Sequence, residues 1–143
     1  MNNTKILLAT ILLIVLVGGC ASTKGTKRVK VPLPPGTLYA AEVTALFSGK
    51  TVESTLDENG RVRLTYYNPN GELRQLGKGK KRGGTWWVKK NGRICLQMEG
   101  GKKTCRIIVK EGSSYRKYIV KKNGNHQRII TYTSFRNGNL VDR

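Results

Sequence analysis

Turn-favouring dipeptides recur along most of this chain and constrain its fold more than any other feature. They lie at residues 59–60, 70–71, 91–92, 100–101, 111–112 and 123–124, mostly with about ten residues between neighbours. Asn-Gly and related pairs adopt the positive backbone angles of tight hairpin turns, and the runs between them are rich in β-branched and aromatic residues. This spacing predicts an antiparallel meander.

The intervals predict about eight strands, which is enough to close a small barrel. The expected strands cover 51–56, 61–67, 72–76, 85–89, 93–98, 103–110, 114–120 and 127–135. One short helix precedes them, because Val43, Leu46 and Phe47 recur at helical spacing and Gly49 is placed to end the helix. The predicted fold is therefore mainly β: a single meander barrel with one N-terminal helix. A two-sheet sandwich is the alternative.

Strand faces follow from alternation. In RVRLTYY (61–67), Val62, Leu64 and Tyr66 alternate with polar residues, which predicts that these three line the inner face. In the central hairpin, a three-residue loop ending at Gly92 would pair Trp86 with Leu96 on the apolar side.

The same register places Trp87 opposite Cys95 on the other face. Cys95 and Cys105 face each other if residues 99–101 form a three-residue loop, and a disulfide is then expected in an exported chain. A two-residue Gly100-Gly101 turn would put the two cysteines on opposite faces instead.

The N-terminus carries an export signal. An uncharged apolar block at 6–17 is shorter than the roughly 18 to 20 residues of a spanning helix, and Gly18-Gly19-Cys20 follows it. The segment LVGGC resembles the lipobox of bacterial lipoproteins, which implies lipid attachment at Cys20 and removal of residues 1–19 as a signal peptide. Ala21 after the cysteine resembles cargo sorted to the outer membrane. An ordinary signal peptide cut near Ala21 is the alternative.

Residues 20–36 are basic and then proline-rich, which is typical of an extended tether. A single β-rich domain is expected over 37–143. The expected location is the bacterial cell envelope, most readily the outer membrane, with the domain in the periplasm or at the surface.

Charge narrows the class of partner. The chain has 27 Lys and Arg residues against 8 Asp and Glu, for a formal net charge of +19. Such a field attracts anions, so anionic lipid, lipopolysaccharide, acidic glycan or an envelope protein are candidate partners beside the membrane itself, and nucleic acid is disfavoured. A charge spread evenly for solubility would select no partner.

The segment GKGKKRGGT (77–85) is the most distinctive basic stretch. Its cations Lys78, Lys80, Lys81 and Arg82 stand among glycines, a composition that suits a phosphate-bearing partner. A flexible, solvated hairpin connection is the alternative. Tyr67 and Trp87 are predicted to face outward, where they could stack on a base or a sugar.

Catalytic and metal-binding patterns are missing from the sequence. The single histidine, His126, lies in a predicted turn, and no His/Cys cluster has zinc spacing. We therefore expect no cofactor and no enzymatic activity. The alternative is a small-ligand carrier or hydrolase with a barrel cavity lined by Trp86, Tyr66 or Phe135, which a tightly filled interior would exclude.

The segments AEVTALFSGKTV (41–52), GTWWV (84–88) and ICLQMEGGKKTC (94–105) carry a family resemblance. They are similar to a family of small exported proteobacterial domains of unknown function. The resemblance implies a helix followed by β-strands and two cysteines flanking a glycine turn, and it implies no activity. The sequence thus favours a lipid-anchored, non-catalytic binding or structural module with a basic surface.

Overall fold

The structure, a computed structural model, describes residues 31–143. The predicted signal peptide, Cys20 and most of the predicted tether lie outside the described residues. One helix, α1 (Ala40–Phe47), precedes eight strands. The strands are β1 (Lys50–Leu56), β2 (Val62–Tyr67), β3 (Glu72–Gly77), β4 (Lys80–Val88), β5 (Ile94–Met98), β6 (Thr104–Glu111), β7 (Ser114–Val120) and β8 (His126–Asn137).

The strands form a closed antiparallel barrel in sequence order. Closure is made by β8, which pairs with β1 from Lys50↔Asn137 to Leu56↔Ile130. The predicted meander barrel is confirmed, and the two-sheet alternative is wrong because the sheet has no free edge between its first and last strands. Within residues 31–143, no helix has the length and apolarity needed to cross a membrane.

One end of the barrel is covered by helix α1. Helix α1 lies at the end that also holds the β2–β3, β4–β5 and β6–β7 turns, which we call the α1 end. The other four turns lie at the opposite end, which we call the open end. Because every connection is a hairpin, each strand runs from one end to the other and contributes residues to both.

The apolar core fills the α1 end. Val43 and Phe47 lie one helical turn apart on α1 and are fully buried. The Phe47 ring packs edge-on against Tyr67, Tyr132 and Phe135, with centroid distances of 4.9, 5.2 and 5.6 Å. Such pairs add to the free energy gained by burial alone. Helix α1 therefore acts as a plug that closes this end.

Central hairpin register agrees with the sequence prediction. Trp86 pairs with Leu96, and Cys95 pairs with Cys105, to which it is disulfide-bonded. The β5–β6 ladder has only three residue pairs, and the cysteine pair is the middle one. The disulfide thus crosslinks the shortest ladder of the closed sheet.

The predicted faces of β2 are wrong. Tyr67, which we expected to face outward and stack on a ligand, is 2% exposed and packs against Phe47 and Trp86 inside the barrel. Val62, expected inside, is 54% exposed. Arg63, Thr65 and Tyr67 face inward instead. The interior near the open end is polar, so Val62 and Leu64 would gain little free energy by facing it.

Strand β4 begins five residues earlier than predicted. Lys80 to Thr85 pair with β3 down to Glu72, and only Lys78 and Gly79 form the turn. Both turn residues have positive φ (53° and 69°), as a two-residue hairpin turn requires. The basic segment is therefore mostly strand, and the hairpin connection given as the alternative is limited to Lys78 and Gly79.

Residues 31–38 precede α1 and end beside β6 in the barrel wall. Val31 packs directly on Gly124 in the β7–β8 turn, where a Cβ would clash with the valine side chain. Thr37 bridges Val109, and the Leu38 N–H donates to the Ile108 carbonyl at 2.8 Å. This segment reaches β6 at the α1 end, beyond the point where the β5–β6 ladder stops.

Candidate anion-binding site

A cavity of about 360 Å³ occupies the barrel interior at the open end. Tyr67 and Tyr132 form its floor, and the same two rings contact Phe47 on their other side. Leu96, Met98 and Ile130 supply apolar wall. The floor therefore separates the apolar core from a polar chamber.

Five basic residues line this chamber, and four of them are on strands. Arg63, Arg82, Arg106 and Lys117 come from β2, β4, β6 and β7, while Lys102 lies in the β5–β6 turn. No Asp or Glu is among the lining residues of this cavity. A chamber with several cations and no carboxylate is suited to an anion.

Lys117 is the deepest of these cations. Its side chain is 6% exposed, and its pairing partners Ile108 and Ile130 are apolar. The ammonium lies 5.7 Å from the centre of the Tyr132 ring, a cation–π distance. Burial, followed by the charges of Arg106 and Arg63, lowers the pKa of Lys117 to about 7.

Two arginines of the chamber, Arg82 and Arg106, are held by neutral acceptors. Arg82 Nη2 donates to Gln75 Oε1 at 3.0 Å, and Gln75 Nε2 donates to Thr65 Oγ1 at 3.1 Å. Arg106 Nη1 donates to the Cys105 carbonyl at 2.9 Å. These bonds orient the guanidinium groups without neutralising them.

Three cations outside the chamber are held by carboxylates instead. Within residues 31–143 the ion pairs are Arg128–Asp57, Arg116–Glu111 and Lys81–Asp142, and none includes a cation of the chamber. Burial, then neighbouring arginine charges, lowers the pKa of both Arg63 and Arg106. Within the described residues, the positive charge of the chamber is therefore not neutralised by an ion pair.

A second cavity of about 270 Å³ adjoins the chamber at the rim. It is lined by the start of β2 and by the β3–β4 hairpin: Arg61, Val62, Arg63, Gly77, Lys78, Lys80 and Arg82. Arg63 and Arg82 line both cavities. The Arg63 side chain crosses directly over Gly77. A Cβ at position 77 would lie 3.4 Å from Arg63 Cγ, so the glycine makes room for this arginine.

The structure divides the basic residues predicted from the sequence. Lys78, Lys80 and Arg82 line the rim cavity, and Arg82 also reaches the chamber. Lys81 faces the other way, with its ammonium 3.6 Å from an Asp142 carboxylate oxygen. Alternation along β4 explains this division, because successive side chains point to opposite faces.

The predicted aromatic residues lie away from the chamber mouth. Trp87 is on the outer face opposite Cys95, with the Lys103 ammonium 5.9 Å from its ring centre. Trp86 is in the core, where its Nε1 donates to the Asn68 carbonyl at 2.8 Å. The cavity lining predicted from Trp86, Tyr66 and Phe135 is wrong, since the cavity is lined by none of them.

Arg63, Arg106 and Lys117 were missed by sequence reasoning. A signal for Arg106 existed, because pairing Cys95 with Cys105 on the outer face puts Ile94 opposite Arg106 on the inner face. No comparable signal marks Lys117, since a bulge in β7 shifts the register at Lys117/Tyr118. Among residues 31–143, no group of three metal-ligating side chains is present, and His126 begins β8.

Comparisons with protein-family models, with curated proteins and with solved structures find no match to this chain. The chemistry of the chamber is therefore the basis for interpreting the site.

Proposed function

We propose that this protein is a non-catalytic anion-binding module of the bacterial cell envelope, and that the barrel chamber is its binding site. The observation that supports this proposal is the set Arg63, Arg82, Arg106 and Lys117, which converges on one cavity whose lining has no carboxylate. An anion entering the chamber would gain charge-assisted hydrogen bonds in a partly desolvated site, where such bonds are stronger than at an exposed surface.

The envelope location rests on the N-terminal sequence. The segment ending at Cys20 supports lipid attachment at that residue, and lipid attachment would hold the barrel at a membrane. Phosphate and carboxylate groups are the anions of envelope lipids and glycans, so either kind of molecule could present the group that enters the chamber.

Depth distinguishes this proposal from simple attraction to an acidic surface. Lys117 is buried, so a flat polyanionic surface cannot reach it, whereas a single phosphate or carboxylate group is small enough to enter a cavity of about 360 Å³. The rest of the positive charge, on surface lysines, would then serve attraction over longer distances.

Titration of the full-length protein in detergent with inorganic phosphate tests the proposal. Chloride is replaced by phosphate at constant ionic strength, and binding is followed by calorimetry and by the melting temperature. We expect saturable binding that the substitution Lys117→Met weakens at least tenfold. The matched control, Lys89→Ala with Lys90→Ala, removes two exposed charges at the α1 end and should bind as the wild type does.

Two outcomes would contradict the proposal. The first is the absence of any phosphate binding beyond that of chloride. The second is an equal loss of binding in the control variant, because the attraction would then come from net charge and not from the chamber.

A hydrolase is a second candidate, for one specific reason. Lys117, whose pKa of about 7 leaves part of its population uncharged at neutral pH, shares the chamber with the Ser54 hydroxyl. Turnover of a chromogenic phosphate or carboxylate ester that disappears in Ser54→Ala, with phosphate binding retained, would favour this candidate over binding alone.

A further inference from the structure

The rim cavity extends the chamber along one wall. A basic strip runs from the rim into the barrel, formed by Arg61 just before β2, Arg63 on β2, and Lys80 and Arg82 on β4. Gly77, at the end of β3 between these two strands, leaves room for the Arg63 side chain to cross over it. The two cavities share Arg63 and Arg82, so the side chains that lie between them are both cationic.

The rim cations resemble those of the chamber in how they are held. Arg61 Nε donates to Asn59 Oδ1 at 2.9 Å, and this neutral amide is also bonded to the Arg61 backbone N–H at 3.2 Å. No carboxylate is among the residues that line the rim cavity. The same arrangement, a positioned and uncompensated guanidinium, therefore occurs at both levels.

A neighbouring groove at the open end provides a contrast. It measures about 420 Å³ and is lined on one side by Asp57, Glu58 and Arg128. The Arg128 guanidinium is bonded there to Asp57 at 2.7 Å, and the same carboxylate accepts a hydrogen bond from Thr131. Carboxylates therefore compensate charge on the side of Asp57 and Arg128, whereas none lines the two cavities that Arg63 and Arg82 share.

We propose that the ligand carries two anionic groups of the phosphate or carboxylate type, one held in the chamber and the other at the rim by Arg61 and Lys80. This inference rests on the proposed function and adds the class of ligand. The strand rise of about 3.3 Å per residue, applied from Arg61 past Arg63 toward the level of Thr65, gives a separation on the order of 10 Å between the two anionic groups.

Two synthetic probes test the inference: hexanediol bisphosphate, with a phosphate at each end, and hexyl monophosphate, which has the same chain and one phosphate. We expect full-length protein to bind the bisphosphate at least about tenfold more tightly at constant ionic strength. Arg61→Ala with Lys80→Ala should remove this preference because it weakens the bisphosphate more than the monophosphate, while Lys117→Met should weaken both probes.

The matched control again removes two exposed lysines at the α1 end, with Lys89→Ala and Lys90→Ala. Its preference for the bisphosphate should equal that of the wild type. Equal wild-type affinity for the two probes would overturn the two-group inference and leave the proposed function standing, whereas failure to bind either probe would overturn both. Loss of the preference in the control variant would also overturn the inference, because long-range charge would then account for it.

Discussion

The two ends of this barrel are built from the same strands and have opposite chemistry. Strand β2 contributes Tyr67 to the aromatic cluster under α1 and Arg63 to the basic chamber. Strand β6 likewise contributes Ile108 to one end and Arg106 to the other. A closed meander thus allows one end to supply packing free energy while the other carries charges that oppose folding.

The two ends also differ in whether their polar and charged groups have partners. At the α1 end, rings and aliphatic side chains meet one another, and the one indole N–H has a carbonyl partner. At the open end, Lys117, Arg63 and Arg106 are partly desolvated close to like charges. Truncating a ring at the α1 end is therefore expected to destabilise the protein, whereas removing the buried charge of Lys117 at the open end should stabilise it and weaken anion binding.

Phe47→Ala should produce the largest effect, because it removes the ring that contacts the floor tyrosines and Phe135. We expect the free energy of unfolding to fall by about 3–5 kcal/mol, as for other buried aromatic truncations. Denaturant unfolding measures the change, with Tyr39→Ala, at a residue that is 79% exposed, as the control. A loss below about 1 kcal/mol would show that α1 is not a plug.

Removing the disulfide should have the next largest effect. Replacing Cys95 and Cys105 with Ala is expected to cost about 2–3 kcal/mol, since the bond closes a short loop and reinforces the shortest ladder. Both ends share that ladder, so fluorescence of the tryptophans and far-UV circular dichroism should still report one transition. Two separate transitions would mean that the ends unfold independently.

Lys117→Met should stabilise the protein, in contrast to Phe47→Ala. Because burial lowers the pKa of Lys117 to about 7, the unfolded chain binds more protons than the folded protein between about pH 7 and its unperturbed value near 10.5. The contribution of Lys117 to the free energy of unfolding of the wild type therefore rises with pH across that window.

The gain from Lys117→Met should be about 2 kcal/mol at and below pH 7 and should shrink toward pH 10. Unfolding at several pH values measures it, and Lys103→Met, at an exposed position, is the control. A gain that did not change with pH would place its origin in packing and not in the buried charge.

Sulfate affinity should also depend on Lys117. Sulfate keeps a constant charge above pH 5, so a change in its binding reports the protein. As pH rises from 6 to 9 the lysine loses its proton, and affinity should fall on the order of tenfold. Isothermal titration measures this slope, and Lys117→Met should abolish it. An unchanged slope in the variant would assign the titration to another group.

Thr65→Val should give the smallest effect. It removes the acceptor for Gln75 Nε2 inside the chamber, at an expected cost of about 1 kcal/mol. Phosphate binding should weaken severalfold, because Gln75 orients Arg82 through its other amide atom. Exposed Thr133 provides the control, as Thr133→Val. Stability loss with unchanged binding would show that the Thr65–Gln75–Arg82 chain is structural only.

Sequence reasoning reached the barrel because hairpin turns and strand lengths are local properties. It also placed Trp86 opposite Leu96 and Cys95 opposite Cys105, where turn geometry determines register. It misplaced Tyr67 and Val62 because alternation identifies an apolar face without showing which side of a sheet that face occupies. Near a polar interior, the usual assumption that the apolar face points inward fails.

The chamber was beyond sequence reasoning for a related reason. The sequence around Lys117 and around Arg106 is equally compatible with a solvated outer face. Only closure of the sheet brings these two side chains together. Lys80 and Arg82 were selected for the right charge but were assigned to a loop. Pairing with β3 is what directs them toward the barrel axis and directs Lys81 away from it.

The contact of Val31 with Gly124 fixes where the preceding chain joins the barrel. The β7–β8 turn belongs to the open end, so the chain reaches the barrel beside the opening. Val31 lies eleven positions after Cys20, the proposed site of the acyl group. A fully extended chain of that length spans at most roughly 36 Å. Head groups of the anchoring leaflet would then be the first molecules the opening meets.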